Sequence, residues 1–292
     1  MPMSTLSVDS PESKRSSQPE KATVGVLLLH GLTGMPDEMR PVMRHLKKLG
    51  FRVEVPMLPG HGATHIELLN VGWKDWYKCA LDALRELKKE CPTVVVGGLS
   101  MGAIISALLS LDEEVDGVVL LSPTMVYDLQ GPRILCYNWA RQIARHILQF
   151  RVFGDRIYWT EAPPYGLRDQ RLQKQITKAI EAAQSGQSNA FGLFRTYWGS
   201  LYQLFLLVEE FRKNAKRMKC PALLIHSYED TITSVDNPTE AYNLIGSKDK
   251  SLLLLTGCDH VLTLDLCKDQ VASHFGRFTQ RVAKVSAEKS NA

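Results

Sequence analysis

Three residues of this chain form a set able to break an acyl bond: a serine at position 100, an aspartate at 230 and a histidine at 260. A serine hydroxyl is a poor nucleophile near neutral pH and needs a base to take its proton. His260 is the candidate base, and Asp230 the acid that would fix its tautomer and stabilise the imidazolium. Ser100 lies in Gly98-Leu99-Ser100-Met101-Gly102, where the run Thr93 to Val96 leads into glycines and a stretch of small and apolar residues follows. That pattern reads as strand, sharp turn, helix. A nucleophile held on such a turn leaves room only for glycine at positions 98 and 102. Alone, the five residues also fit a tight turn with a serine helix cap, so the weight rests on the surrounding elements.

Those elements alternate. Val24-Gly25-Val26-Leu27-Leu28-Leu29 is a continuous apolar run, as expected of a strand buried on both faces of a parallel sheet, and it ends in the loop His30-Gly31-Leu32-Thr33-Gly34. From Pro36 to Leu49 the acids Asp37 and Glu38 come first and Arg44, Lys47 and Lys48 last, matching a helix dipole, with Gly50 at the stop. Phe51 to Val55 is the next strand, and apolar residues from Trp73 to Leu87 recur at helical spacing. The serine strand and helix follow, then the strand Gly117 to Pro123. After Pro123 the alternation stops for nearly a hundred residues and resumes with strands Ala222 to Ser227 and Ser251 to Leu255 and a last helix from about Lys268 to Val282. About six strands separated by helices predict an α/β fold, a mostly parallel sheet with helices on both faces. Functional residues in such sheets lie beyond the carboxyl ends of strands, and Ser100, Asp230 and His260 each follow one.

Composition narrows the class. The 292 residues are 45% hydrophobic and 23% charged, ordinary for a globular protein, and no apolar run reaches the ~20 residues of a membrane span. A net charge of +4, with no basic run interleaved with aromatics, gives no sign of nucleic-acid binding. Residues 1–22, rich in Ser, Pro, Glu and Lys, read as a disordered leader without a secretory signal. Six cysteines without C-x-x-C spacing suggest neither a zinc site nor a disulfide framework, and a cytoplasmic location is expected; Cys258 reads as a small filler.

The set His30-Gly31-Leu32-Thr33-Gly34, Pro59-Gly60-His61-Gly62, Gly98-Leu99-Ser100-Met101-Gly102, Asp230, and Asp259-His260-Val261-Leu262-Thr263-Leu264-Asp265 resembles the carboxylesterase and monoacylglycerol lipase branch of the α/β-hydrolase fold. The resemblance covers roughly Val24 to Pro123 and Ala222 to Val282. It implies a core of residues 23–123 and 221–285, a helical cap insertion at 124–220 and a short tail at 286–292. It implies hydrolysis of short- to medium-chain carboxylic esters or monoacylglycerols through an acyl-serine intermediate, without metal or cofactor. The oxyanion would be met by the backbone N–H groups of Leu32 and Met101. His30 and Gly31, with Tyr127 and Trp198 of the insertion, are expected at the substrate, and His30 and His61 to pin loops near it.

The insertion decides the substrate. From Tyr127 to Phe205 it holds fourteen aromatic residues, which suit an apolar tunnel for an acyl chain or simply the cap's own core. The same stretch carries ten Lys or Arg against five acids, and Arg141 and Arg145 share a helical face. A solvated basic face is one reading; contact with an anionic membrane or with an acyl carrier protein delivering a thioester is the other. Acyl-thioester hydrolysis is therefore the alternative activity. Peptide-cleaving relatives of this fold usually present a cap acid to a substrate amine, whereas this cap's excess is basic. A binding protein on the same fold would typically have lost one of Ser100, Asp230 and His260.

Overall fold

The computed structural model describes residues 24–62, 64–128, 156–184 and 195–290. The proposed leader, together with Arg133, Arg141, Arg145 and Arg151 of the basic cap, lies outside the described residues. Six strands, β1 (Val24–Leu29), β2 (Arg52–Glu54), β3 (Thr93–Leu99), β4 (Gly117–Leu121), β7 (Ala222–Ser227) and β8 (Lys250–Leu255), form one sheet in the order β2-β1-β3-β4-β7-β8. Every pair in it is parallel. Such strands need helical crossovers, which is why the chain alternates.

Alternate side chains of each strand enter two separate cores. Leu27, Leu29, Val94, Val96, Val118, Leu120 and Leu224 face α3 (Trp73–Glu90) and α4 (Met101–Asp112), where Trp76, Leu84, Ile104 and Leu108 are buried. Val26, Leu28, Val95, Leu99, Val119, Leu121 and Ile225 face α1 (Arg40–Lys48) and α8 (Lys268–Ser290), against Val42, Leu46, Phe275 and Phe278. Each fully buried aliphatic or aromatic side chain contributes roughly 1.5–3 kcal/mol, so two cores sharing one sheet fix its position firmly. The edge strand β2 is short and charged: Arg52 pairs with Glu54 at 2.7 Å and with Glu90 at 3.1 Å, which discourages pairing with another chain.

The segment between β4 and β7 contains a two-stranded antiparallel pair, β5 (Tyr158–Thr160) and β6 (Arg195–Tyr197), and helices α5 (Gln170–Gln184) and α6 (Trp198–Asn214). Helix α5 has a small core of its own, Leu167, Ile176 and Ile180. Helix α6, by contrast, buries Leu204, Leu207, Val208 and Phe211 in the same cluster as α3 and α4, so it is part of the layer covering the sheet. The remaining short helices are α2 (His65–Leu69) and α7 (Asp236–Leu244). Among the described residues no helix is long and apolar enough to cross a membrane.

The cysteine expectation is corrected. Cys258 and Cys267 are joined as a disulfide, with Cα atoms 5.8 Å apart. Linear spacing concealed this because the intervening loop doubles back, the Asp265 carboxylate accepting from Asp259 N–H at 2.7 Å.

Candidate active site

Five loops leave the carboxyl ends of β1, β3, β4, β7 and β8 on one edge of the sheet, and the chemistry-bearing residues gather there. Ser100 sits between β3 and α4 with φ 55° and ψ −114°, a left-handed conformation that costs a non-glycine residue on the order of 1 kcal/mol or more. The surrounding backbone enforces it. A side chain at Gly98 would overlap the backbone of Gly102, and one at Gly102 would overlap the carbonyls of Leu29 and His30. The glycines are required by backbone meeting backbone beneath the serine, a stricter demand than room for its approach.

His260 and Asp230 are coupled directly. His260 Nδ1 lies 2.7 Å from Asp230 Oδ2, and both residues are buried. Asp230 is held by its own turn: Oδ1 accepts from Ile232 N–H at 2.8 Å and Thr233 N–H at 2.7 Å, and Oδ2 accepts from Thr233 Oγ1 at 3.0 Å. Burial disfavours the Asp230 carboxylate, but His260, with help from His226 and the Thr233 N–H, outweighs it and lowers its pKa. Burial likewise works against the His260 imidazolium, and Asp230 chiefly, then Asp259 and Glu38, reverse that and raise its pKa. Ser122 Oγ donates to the His260 carbonyl at 2.7 Å, tying β4 to the histidine loop.

Ser100 Oγ shares a hydrogen bond of 2.8 Å with Thr124 Oγ1 and another with the Tyr127 hydroxyl. Ser100, His260 and Tyr127 all line a cavity of about 640 Å³. Its lining includes the apolar Leu167, Leu172, Ile176, Ile232 and Leu264, together with Gly31, Leu32, Glu38 and Glu161. Burial raises Glu161 above the usual carboxylate range, against Thr196, which donates to it at 2.7 Å, and His260. Among the described residues of the insertion, the acid Glu161 lines the cavity.

The His30 loop is tightly bound. The ring of His30 accepts from Leu58 N–H through Nε2 at 3.2 Å, so Nδ1 carries the proton and donates to Gly31 C=O at 3.0 Å. Burial, followed by the nearby His61, holds its pKa down to about 3, and the ring stays neutral. His61 meets it edge-on at 4.8 Å and Trp76 at 5.7 Å, so both histidines pin loops as expected. Neither His30, Met101 nor Trp198 lines the cavity among the described residues; Trp198 starts α6, its N–H donating to Ile157 C=O at 3.0 Å.

Sequence reasoning missed Thr124, Thr233 and the roles of Glu38 and Asp265. Asp265 is wholly buried and accepts from the backbone N–H groups of Arg168 at 3.0 Å, Asp169 at 2.9 Å and Asp259 at 2.7 Å, stitching the start of α5 to the His260 loop. Asp265→Ala strands these donors, and denaturant unfolding is expected to show a loss of about 2–4 kcal/mol. A change within about 0.5 kcal/mol would mean that water replaces the carboxylate.

A parallel sheet of this order, a serine at positive φ after its third strand and a histidine–aspartate pair after its last two define an α/β-hydrolase. The chain matches the serine aminopeptidase, S33 family over residues 19–266, and it belongs to that family as a lipase-type serine hydrolase. It is 27% identical over 246 residues to a thermostable monoacylglycerol lipase of Bacillus sp. (strain H-257), covering 84% of this chain and 86% of that protein. A carboxylesterase of Bacillus subtilis (strain 168) is 24% identical over 258 residues, 88% of this chain and 92% of the relative. A soluble variant of the Saccharomyces cerevisiae monoglyceride lipase, solved with a substrate analogue, has the same fold at a TM-score of 0.70 and 16% identity, covering 92% of this chain and 89% of that one.

Proposed function

We propose that this protein hydrolyses carboxylic esters of short- to medium-chain acyl groups, monoacylglycerols among them, through an acyl-serine intermediate. The observation that carries the reading is Ser100, held at φ 55° and lining, with His260, a cavity of about 640 Å³, the histidine itself 2.7 Å from Asp230. Ser100 turns from Thr124 toward His260, whose Nε2 takes the hydroxyl proton as Oγ attacks the ester carbonyl. The tetrahedral oxyanion is met by the N–H groups of Leu32 and Met101. His260 passes the proton to the departing alkoxide, the alcohol leaves, and the same histidine then activates a water that releases the acid.

The apolar lining residues accommodate the acyl chain, and the carboxyl of Glu161, also in the lining, offers a hydrogen-bond partner to a hydroxylated leaving group. The test is initial rates across p-nitrophenyl esters and monoacylglycerols of increasing acyl length. Rates are expected to peak at a short- to medium-chain length; a folded protein that turns over no ester at any length overturns the proposal.

A further inference from the structure

Gly31 lines the cavity beside Leu32 and Ser100 with both its backbone polar groups engaged by protein partners, although glycine is the residue least able to hold its own backbone. Its C=O is taken by His30 Nδ1–H at 3.0 Å and by Gly34 N–H at 3.3 Å. In a trans peptide the C=O and the following N–H point in opposite directions, so these two donors aim the Leu32 N–H away from His30 and Gly34. The preceding peptide is held by a different group: Gly31 N–H donates to Glu38 Oε2 at 3.1 Å.

We infer that Glu38 is a positioning residue for ester hydrolysis, its carboxyl clamping Gly31 N–H so that Leu32 N–H is presented to the developing oxyanion; this rests on the proposed reaction. Two further observations support the clamp. A Cβ at Gly34 would overlap the Glu38 carboxyl, so the loop leaves a vacant side-chain position where that carboxyl packs. Glu38 also lines the cavity with Gly31, Leu32 and Ser100, placing the clamp beside the reacting atoms rather than at a remote structural joint. Burial, opposed by the Gly31 hydrogen bond and by His260, pushes the carboxyl up to about 7. Near neutral pH it is thus partly uncharged, and a glutamine oxygen is a close substitute for it as an acceptor.

The experiment compares Glu38→Leu, Glu38→Asp and Glu38→Gln with the native protein, using a p-nitrophenyl ester that the native protein cleaves, alongside the rate at which a dialkyl p-nitrophenyl phosphate phosphorylates Ser100. Leucine removes the acceptor, and aspartate withdraws it by one methylene. Both are expected to lose kcat by roughly 10- to 100-fold, less than the 10²- to 10³-fold for deleting an oxyanion donor outright. KM should stay within ~3-fold, because the oxyanion forms only after binding, and phosphorylation should slow in parallel. Glu38→Gln should recover most of kcat. Should Glu38→Leu fail to fold, the contrast between Asp and Gln carries the same decision. Unchanged kcat in the Leu and Asp variants, a loss confined to KM, or a Gln variant as impaired as the Leu variant each overturns the inference. Native turnover reports separately on the ester reading, so failure of either is distinguishable from failure of the other.

Discussion

Replacing Ser100 by alanine is expected to lower kcat for ester cleavage by about 10⁵- to 10⁶-fold, the scale seen when a serine hydrolase loses its nucleophile. The magnitude follows from the route. Without Oγ no acyl-enzyme forms, and the remaining rate is that of water attacking an ester held near the N–H groups of Leu32 and Met101. The fold should be unaffected, because alanine carries the same backbone cost at φ 55° and the hydroxyl gives up only its hydrogen bonding to Thr124 and Tyr127. Thermal unfolding should therefore show a Tm within a few degrees of the native value, while the p-nitrophenyl ester assay falls to background. Retention of more than about 1% of turnover in a purified, folded variant would relocate the nucleophile.

Asp230→Asn should cost about 10⁴-fold in kcat with the structure kept. The asparagine Oδ1 can keep the N–H groups of Ile232 and Thr233, but the amide then turns its NH₂ toward His260 Nδ1 in place of the carboxylate oxygen now 2.7 Å away. A donor facing Nδ1 selects the imidazole tautomer with the proton on Nε2, which cannot take a proton from Ser100. The pH profile gives a second signature. Burial lowers and Asp230 more than restores the pKa of His260, so the native acid limb of kcat/KM falls as pH drops through that raised value. Removing the charge lowers the histidine's pKa, and the acid limb should move to lower pH even as the plateau drops. A limb that stays in place would point to another group as the titrating base.

The parallel sheet is legible in the sequence because strands buried on both faces are unbroken apolar runs. Five of the six core strands fall within a residue or two of the ranges read from composition and punctuation, and β3 runs three residues further, through its glycines to Leu99. The last helix runs further than its apolar face, to Ser290, since its final turns need no core. The positions of Ser100, Asp230 and His260 are legible for the same reason, each standing just beyond a strand. The segment between β4 and β7 is not: β5 and β6 have three residues each, too short for any periodicity, and the coverage of the sheet by α6 depends on contacts distant in sequence. Glu38 reads as an acid complementing a helix dipole, and in type and position it fits that reading. Only the three-dimensional path of the 3₁₀ turn Pro36–Met39 folds its carboxyl back onto Gly31. Cys258 and Cys267 give no signal because their pairing depends on a loop closure that no spacing encodes.

The contact of Gly102 with the carbonyls of Leu29 and His30 has a consequence for how the reaction is driven. It presses the first turn of the nucleophile's helix against the root of the loop that carries Leu32, so the two N–H groups proposed to face the oxyanion belong to one rigid block of main chain. Water around an ester in solution must turn its dipoles as negative charge builds on oxygen, and that turning is a large share of the barrier. In the proposed reaction the dipoles of these two N–H groups are already turned when the substrate arrives, their orientation set at folding. A transition state met in that way would leave almost no reorganisation to be done.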